Sequence, residues 1–266
     1  MLLASLFGVV MGLILGLTGA GGGILAVPAL VLGLGWTMTQ AAPVALFAVG
    51  SAAAVGAIDG LRHGLVRYRA ALLIAALGAV FSLVGIYFAH QLPEKVLMIL
   101  FSLLMVMVAW RMLRRERQQE GPSDHGHASW GQKNCMLNEQ TGRFDWTAKC
   151  TATLAVLGAV TGVVSGLLGV GGGFLIVPAF KQLTDVQMRG IVATSLMVIS
   201  LISAIGVVGA FHAGVRIDHL GASFIVASIV GMIVGRKLCA RVPARTLQVG
   251  FASVCLVVAA YMLLRA

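Results

Sequence analysis

Charge is what this chain has least of. Of its 266 residues only 11% are Asp, Glu, Lys or Arg, and Met1 to Ile58 carries none at all. Soluble domains hold about 25% charged residues, so a water-soluble globule is excluded. Disorder is excluded as well, because 59% of the residues are hydrophobic and the mean hydropathy is +0.98. The four cysteines (Cys135, Cys150, Cys239, Cys255) show neither a pairing pattern nor metal-ligand spacing, which rules out a disulfide scaffold and makes reduced thiols the expectation. Alternating apolar and polar runs are missing, which excludes an outer-membrane barrel. The start lacks the basic segment of a secretory signal, so residue 1 onward is read as mature chain. What is present is a series of apolar runs near the roughly 20 residues that cross a bilayer. The fold class that follows is an all-α polytopic membrane protein.

A net charge of +10 raises nucleic acid as a partner, but the placement of the charges argues otherwise. Lys and Arg sit in short clusters between apolar runs, as at Arg111, Arg114, Arg115 and Arg117. Loops facing a negative membrane surface have this look. The expected partners are the lipid bilayer and a small anionic substrate, with no nucleic acid; a homo-oligomer is admissible.

An internal repeat organises the chain. Gly16-Leu-Thr-Gly-Ala-Gly-Gly-Gly-Ile-Leu-Ala-Val-Pro-Ala29 returns as Gly166-Leu-Leu-Gly-Val-Gly-Gly-Gly-Phe-Leu-Ile-Val-Pro-Ala179, with ten of fourteen positions identical at an offset of 150. The same offset pairs Gly56 with Gly206, Gly64 with Gly214, Gly85 with Gly235 and Pro93 with Pro243. Residues 1–115 and 151–266 therefore read as two copies of one unit, and 116–150 as a polar linker. Each copy holds four apolar elements: 1–35 (broken at the glycines), 37–58, 70–92 and 96–113, then 151–180 (broken), 190–211, 219–238 and 246–264.

The broken element sets the topology. If it enters and leaves on one face, 16 of the 19 Lys and Arg fall in loops on a single side; if it crosses, the split is 12 to 7. Cationic loops stay cytoplasmic, which favours the re-entrant reading. Each copy then has an odd number of full spans, so the second is inverted. Both termini face outward and the linker is cytoplasmic, in the cell's inner membrane.

Inverted repeats with interrupted helices are a transporter architecture, with substrate held at the repeat interface. The interruptions are Gly19, Gly21, Gly22 and Gly23 in one copy and Gly169, Gly171, Gly172 and Gly173 in the other. Glycine costs a helix about 1 kcal/mol relative to alanine, so neither stretch stays helical cheaply. Half-helices 24–34 and 174–180 begin directly afterwards, with Pro28 and Pro178 expected in their first turns. A helix start carries about half a positive charge and free N–H donors. Two such ends facing each other would hold a small oxyanion without any Lys or Arg. Packing competes with this reading, most strongly for Gly8, Gly12, Gly16, Gly158, Gly162 and Gly166, which are spaced four apart. Neither cluster is a dinucleotide fingerprint, since the G-x-G-x-x-G spacing fails.

Other polar residues in the spans are few. Thr194 and Ser195 could donate to an anion or bond their own helix; Ser51 and Thr18 are weaker candidates. Asp59 lies near Arg62 and His63 and reads as an interfacial ion pair rather than a proton relay, and His212 also reads as interfacial. Asp124 to His127 could catch a metal but reads as solvated loop, so no metal or cofactor is expected. No nucleophile–base set lies within the spans, which argues against an enzyme.

At these residues the chain resembles the TauE/SafE family of sulfite and organosulfonate exporters. The resemblance rests on the paired G-x-G-G-G-x-x-x-x-P motifs (Gly19–Pro28, Gly169–Pro178), on Thr141 to Thr147 and on Ala193 to Leu196. It implies a membrane carrier for sulfite, sulfoacetate or a related sulfur anion. Val44-Ala45 stands where the family often repeats a Thr-Ser pair. Energetics lean toward export, because moving one negative charge out of a negative interior is favoured by about 2.3 kcal/mol per 100 mV. Proton-coupled uptake of another small anion, or a channel, is the alternative.

Overall fold

In the computed structural model, described for residues 2–19, 22–119, 135, 147–184, 188–212, 218–239 and 244–265, the chain forms helices joined by short turns. The first copy gives α1 (Leu2–Thr18), α2 (Gly23–Leu34), α3 (Met38–Arg62), α4 (Tyr68–Gln91) and α5 (Glu94–Gln119). The second gives α6 (Ala148–Leu168), α7 (Gly173–Leu183), α8 (Met188–His212), α9 (His219–Cys239) and α10 (Ala244–Arg265). Each element expected from the repeat is present, most of them longer than the apolar core that announced it. Among the described residues no strand occurs beyond one isolated bridge, Cys135 to Thr184. Among the described residues, five helices are long and apolar enough to cross a membrane: 38–62, 68–91, 148–168, 189–211 and 219–238. The protein is an all-α, multi-pass membrane protein.

Local chemistry marks the helix ends. Thr37 caps α3 by accepting from the Gln40 N–H at 3.4 Å, and Glu94 at the start of α5 accepts from the Met38 N–H at 2.9 Å. Thr147 caps α6 through the Cys150 N–H. Pro28 and Pro178 fall one turn later than expected, inside α2 and α7, so each removes one intrahelical bond.

Packing between the copies is reciprocal. α1 lies on α9 as α6 lies on α4; α3 packs on α8, and α5 on α10. The small-residue faces are the contact surfaces. A side chain added at Gly8 would meet the Phe224 carbonyl oxygen at 2.5 Å, and one at Gly16 the Met232 carbonyl at 2.6 Å. At the positions 150 residues on, one at Gly158 would meet the Ile74 carbonyl at 2.8 Å, and ones at Gly162 and Gly166 would run into the backbone of Gly78 and Ser82. Backbones approach this closely only where no Cβ intervenes. α3 holds the centre, with Ala41, Ala45, Ala48 and Ala52 fully buried.

One expectation about cysteine is overturned. Cys135 and Cys150 form a disulfide, with Cα atoms 4.9 Å apart, because Cys135 lies beside Thr184 at the end of α7 where α6 begins. Only Cys135 of the linker's interior is described; Asp124 to His127 and Thr141 to Trp146 lie outside the described residues.

Candidate functional site

Both glycine breaks begin as a helix stop. The Gly19 N–H returns to the Leu15 carbonyl and the Gly169 N–H to the Ser165 carbonyl, each at 2.8 Å. Both glycines adopt the left-handed conformation, φ 76° and 70°, which a side chain would strain. Beyond this point the copies part. Gly171 and Gly172 are also left-handed, at φ 74° and 68°, whereas Gly22 is right-handed at φ −57°. Gly22 lies against the Leu15 backbone, while Gly172 turns to the Thr161 carbonyl. Gly21 lies outside the described residues.

The breaks come together on the central helix pair. A side chain at Gly19 would strike Val192 of α8, and one at Gly169 would strike Ala42 of α3; Val192 and Ala42 are the same position in the two copies. A Cβ on Gly23, the first residue of α2, would lie 2.9 Å from the Val170 carbonyl oxygen and 3.1 Å from Val49. One on Gly171 would lie 3.0 Å from Ile199 and 3.3 Å from the same Val49. Val49 and Ile199, again repeat equivalents, are therefore the surface on which the two half-helix starts meet. Gly22, Gly23, Gly169, Gly171, Gly172 and Gly173 are all buried. Two helix starts in an apolar setting place the positive ends of two dipoles near one point, where little water screens them.

The hydroxyls expected at the site have partners within the protein. Thr194 is buried, and its oxygen accepts from the Arg67 N–H at 3.1 Å, tying the α3–α4 turn to α8. Ser195 donates to the Val192 carbonyl at 2.8 Å. Ser51 and Thr18 likewise donate within their own helices. Two other serines stand out beside them. Ser203 on α8 and Ser165 on α6 are buried, and among the described residues their hydroxyls have no hydrogen-bond partner. Buried polar groups are rarely left so. The Ser203 oxygen lies 3.4 Å from the Gly171 Cβ position, directly beside the second break. Their counterparts in the first copy are Ala53 and Leu15, so the repeat carried no signal for them.

A cavity of about 70 Å³ reaches the second break from one end of the molecule, lined by Ile86, Ser165, Gly169, Gly206 and Gly209 among others. At the opposite end, Asp59 pairs not with Arg62 but with Arg236 of α9, at 2.6 Å; His63 lies 3.5 Å away on its other side.

Comparison with known proteins points to membrane transporters. A probable membrane transporter protein of Xylella fastidiosa (strain 9a5c) is 30% identical over 264 residues, covering 97% of this chain and 93% of the relative. The probable membrane transporter protein YunE of Bacillus subtilis is 26% identical over 88% of this chain and 86% of its own length. MamO of Paramagnetospirillum magneticum, also described as a probable membrane transporter protein, is 24% identical over 98% of this chain and 45% of that protein. No solved structure matches significantly. The sulfite exporter TauE/SafE profile matches residues 4–262. A helical membrane protein with these relatives, matched from end to end by that profile, is a membrane transporter rather than an enzyme, and the chain belongs to the TauE/SafE family.

Proposed function

We propose that the protein is a carrier that exports a small sulfur oxyanion, such as sulfite or an organosulfonate, by alternating access between two inverted halves in the inner membrane. The observation that supports this most is the meeting of the two half-helix starts at Val49 and Ile199, beside the unpartnered Ser203 hydroxyl. Helix-start N–H groups donate to oxygen acceptors and carry positive dipole ends, while a serine hydroxyl adds a directed donor. Gly171, Gly172, Gly173 and Gly23 bring the backbone close, and Ser203 is added to the expected set. Thr194 holds the α3–α4 turn against α8 and makes no contact with the anion. Exit runs through the cavity lined by Ser165 and Gly206.

The sulfur identity comes from the family, while a small anion is what the site chemistry favours. Counterflow of labelled sulfite in proteoliposomes, with sulfoacetate, sulfate and thiosulfate as competitors, tests both. Saturable exchange inhibited by a sulfur anion is expected. Flux without saturation or counterflow would indicate a channel instead, and no flux of any of the four from folded protein would remove the sulfur assignment.

Orientation has two readings. The placement of 16 Lys and Arg on one side favours a cytoplasmic linker. The Cys135–Cys150 disulfide favours the opposite face, because disulfides persist in oxidising compartments. We take the first reading, since it rests on charges spread over four loops. Epitope tags at both termini decide it; tags accessible only from the cytoplasm would reverse the assignment.

A further inference from the structure

The repeat allows the two ends of the molecule to be compared position by position. At one end, Ile86, Gly206 and Gly209 line the cavity that leads to Gly169. Moving 150 residues along the repeat turns these three into Arg236, Gly56 and Asp59. There the guanidinium fills the corresponding space. Arg236 Nη1 donates to the Gly56 carbonyl oxygen at 2.6 Å, and Nη2 meets Asp59 Oδ2 at 2.6 Å. A Cβ on Gly56 would lie 2.7 Å from Leu196 and 2.9 Å from Arg236 Nη1, so α3, α8 and α9 close on one another at this level. The route is open on the Ile86 side and blocked on the Arg236 side.

We infer that Arg236 and Asp59 form a latch that closes the cytoplasmic mouth of the carrier, and that its release admits the anion. The inference rests on the carrier reading and orientation given above. The chemistry suits a gate. Arg236 and Asp59 are 27% and 46% exposed, so the pair is wet enough to separate without stranding buried charges. Arg236 spans α9 and α3, and parting these helices requires giving up both of its contacts together. Once free, the guanidinium faces the passage as a planar donor suited to an oxyanion, which can take the place of the Asp59 carboxylate. The symmetric partner needs no latch in this state because Ile86 and two glycines cannot form one.

Two buried reporters test the latch, each introduced into a full-length chain whose Cys135, Cys150, Cys239 and Cys255 are replaced by serine and which retains counterflow. Leu46 lines the open cavity, and Leu196 is its repeat equivalent behind the latch. In Leu46→Cys an impermeant maleimide should react from the outer face; in Leu196→Cys it should react slowly from either face. Adding Asp59→Asn or Arg236→Gln should speed Leu196→Cys labelling from the cytoplasmic face about fivefold, the effect of losing roughly 1 kcal/mol. The same change should slow Leu46→Cys labelling, because opening one mouth closes the other. The charge-exchanged pair, Asp59→Arg with Arg236→Asp, should restore slow Leu196→Cys labelling and show that the single variants fold. Unchanged Leu196→Cys labelling in both single variants overturns the latch. Faster Leu196→Cys labelling with unaltered Leu46→Cys labelling also overturns it, since the pair would then be a local staple. Acceleration only from the outer face would keep the latch and overturn the orientation.

Discussion

Ser203 and Thr194 are both buried hydroxyls on α8, yet removing them should have different consequences. Thr194 supports the Arg67 N–H, so Thr194→Val should lower stability by about 1 kcal/mol and leave the half-saturation concentration for sulfite unchanged. Ser203 has no partner to lose among the described residues, so Ser203→Ala should fold as well as the unaltered protein. If the hydroxyl donates to the anion, its removal should raise half-saturation roughly tenfold or more, as expected for a hydrogen bond to a charged group. A thermal melt and a counterflow titration on both variants separate these outcomes. Asp59→Asn should retain transport, because export of an anion down the membrane potential needs no proton site. Complete loss of counterflow at normal expression would argue for proton coupling. Gly22→Leu is a poor probe of the site, since its side chain would run into the Leu15 backbone whatever the substrate does.

Among the elements, the glycine faces carry the packing. Gly162→Val would drive two methyl groups into the Gly78 backbone and should prevent α4 and α6 from seating, at several kcal/mol. Gly250→Ala on α10 meets nothing among the described residues within 4 Å and should be neutral or slightly stabilising. Yield from membranes and melting temperature, measured side by side, check the contrast. Much at this scale was legible beforehand. Apolar length located the helices, glycines four apart identified the faces, and four glycines in five residues located the breaks, because each is a local consequence of backbone chemistry. What stayed hidden depends on chain segments far apart. Nothing near Asp59 points to Arg236, and the copy equivalent of Arg236 is an isoleucine. Ser203 resembles any serine bonding back to its helix, as Ser195 does, until the fold shows that it does not. Gly22 and Gly172 share a motif position but differ in φ, the first lying against the Leu15 backbone and the second against the Thr161 carbonyl.

For the whole molecule, the sharpest question is which compartment holds the linker. With the linker in a reducing cytoplasm, maleimide–polyethylene glycol added to freshly lysed cells should shift both Cys135 and Cys150 on a gel. If neither reacts until a reductant is added, the disulfide persists in the cell and the linker lies on the oxidising side.

The reciprocal embrace of the copies also bears on how the protein is made. Final packing is nearly symmetric, but synthesis is not. α6 emerges soon after α4 and can dock against it at once, whereas α1 is among the first helices made and its partner α9 among the last. For most of translation the glycine face of α1 must be occupied by lipid or by an insertion chaperone. A ribosome stalled before α9 would therefore leave a half-built chain with that surface bare, and membrane quality control should recognise it first.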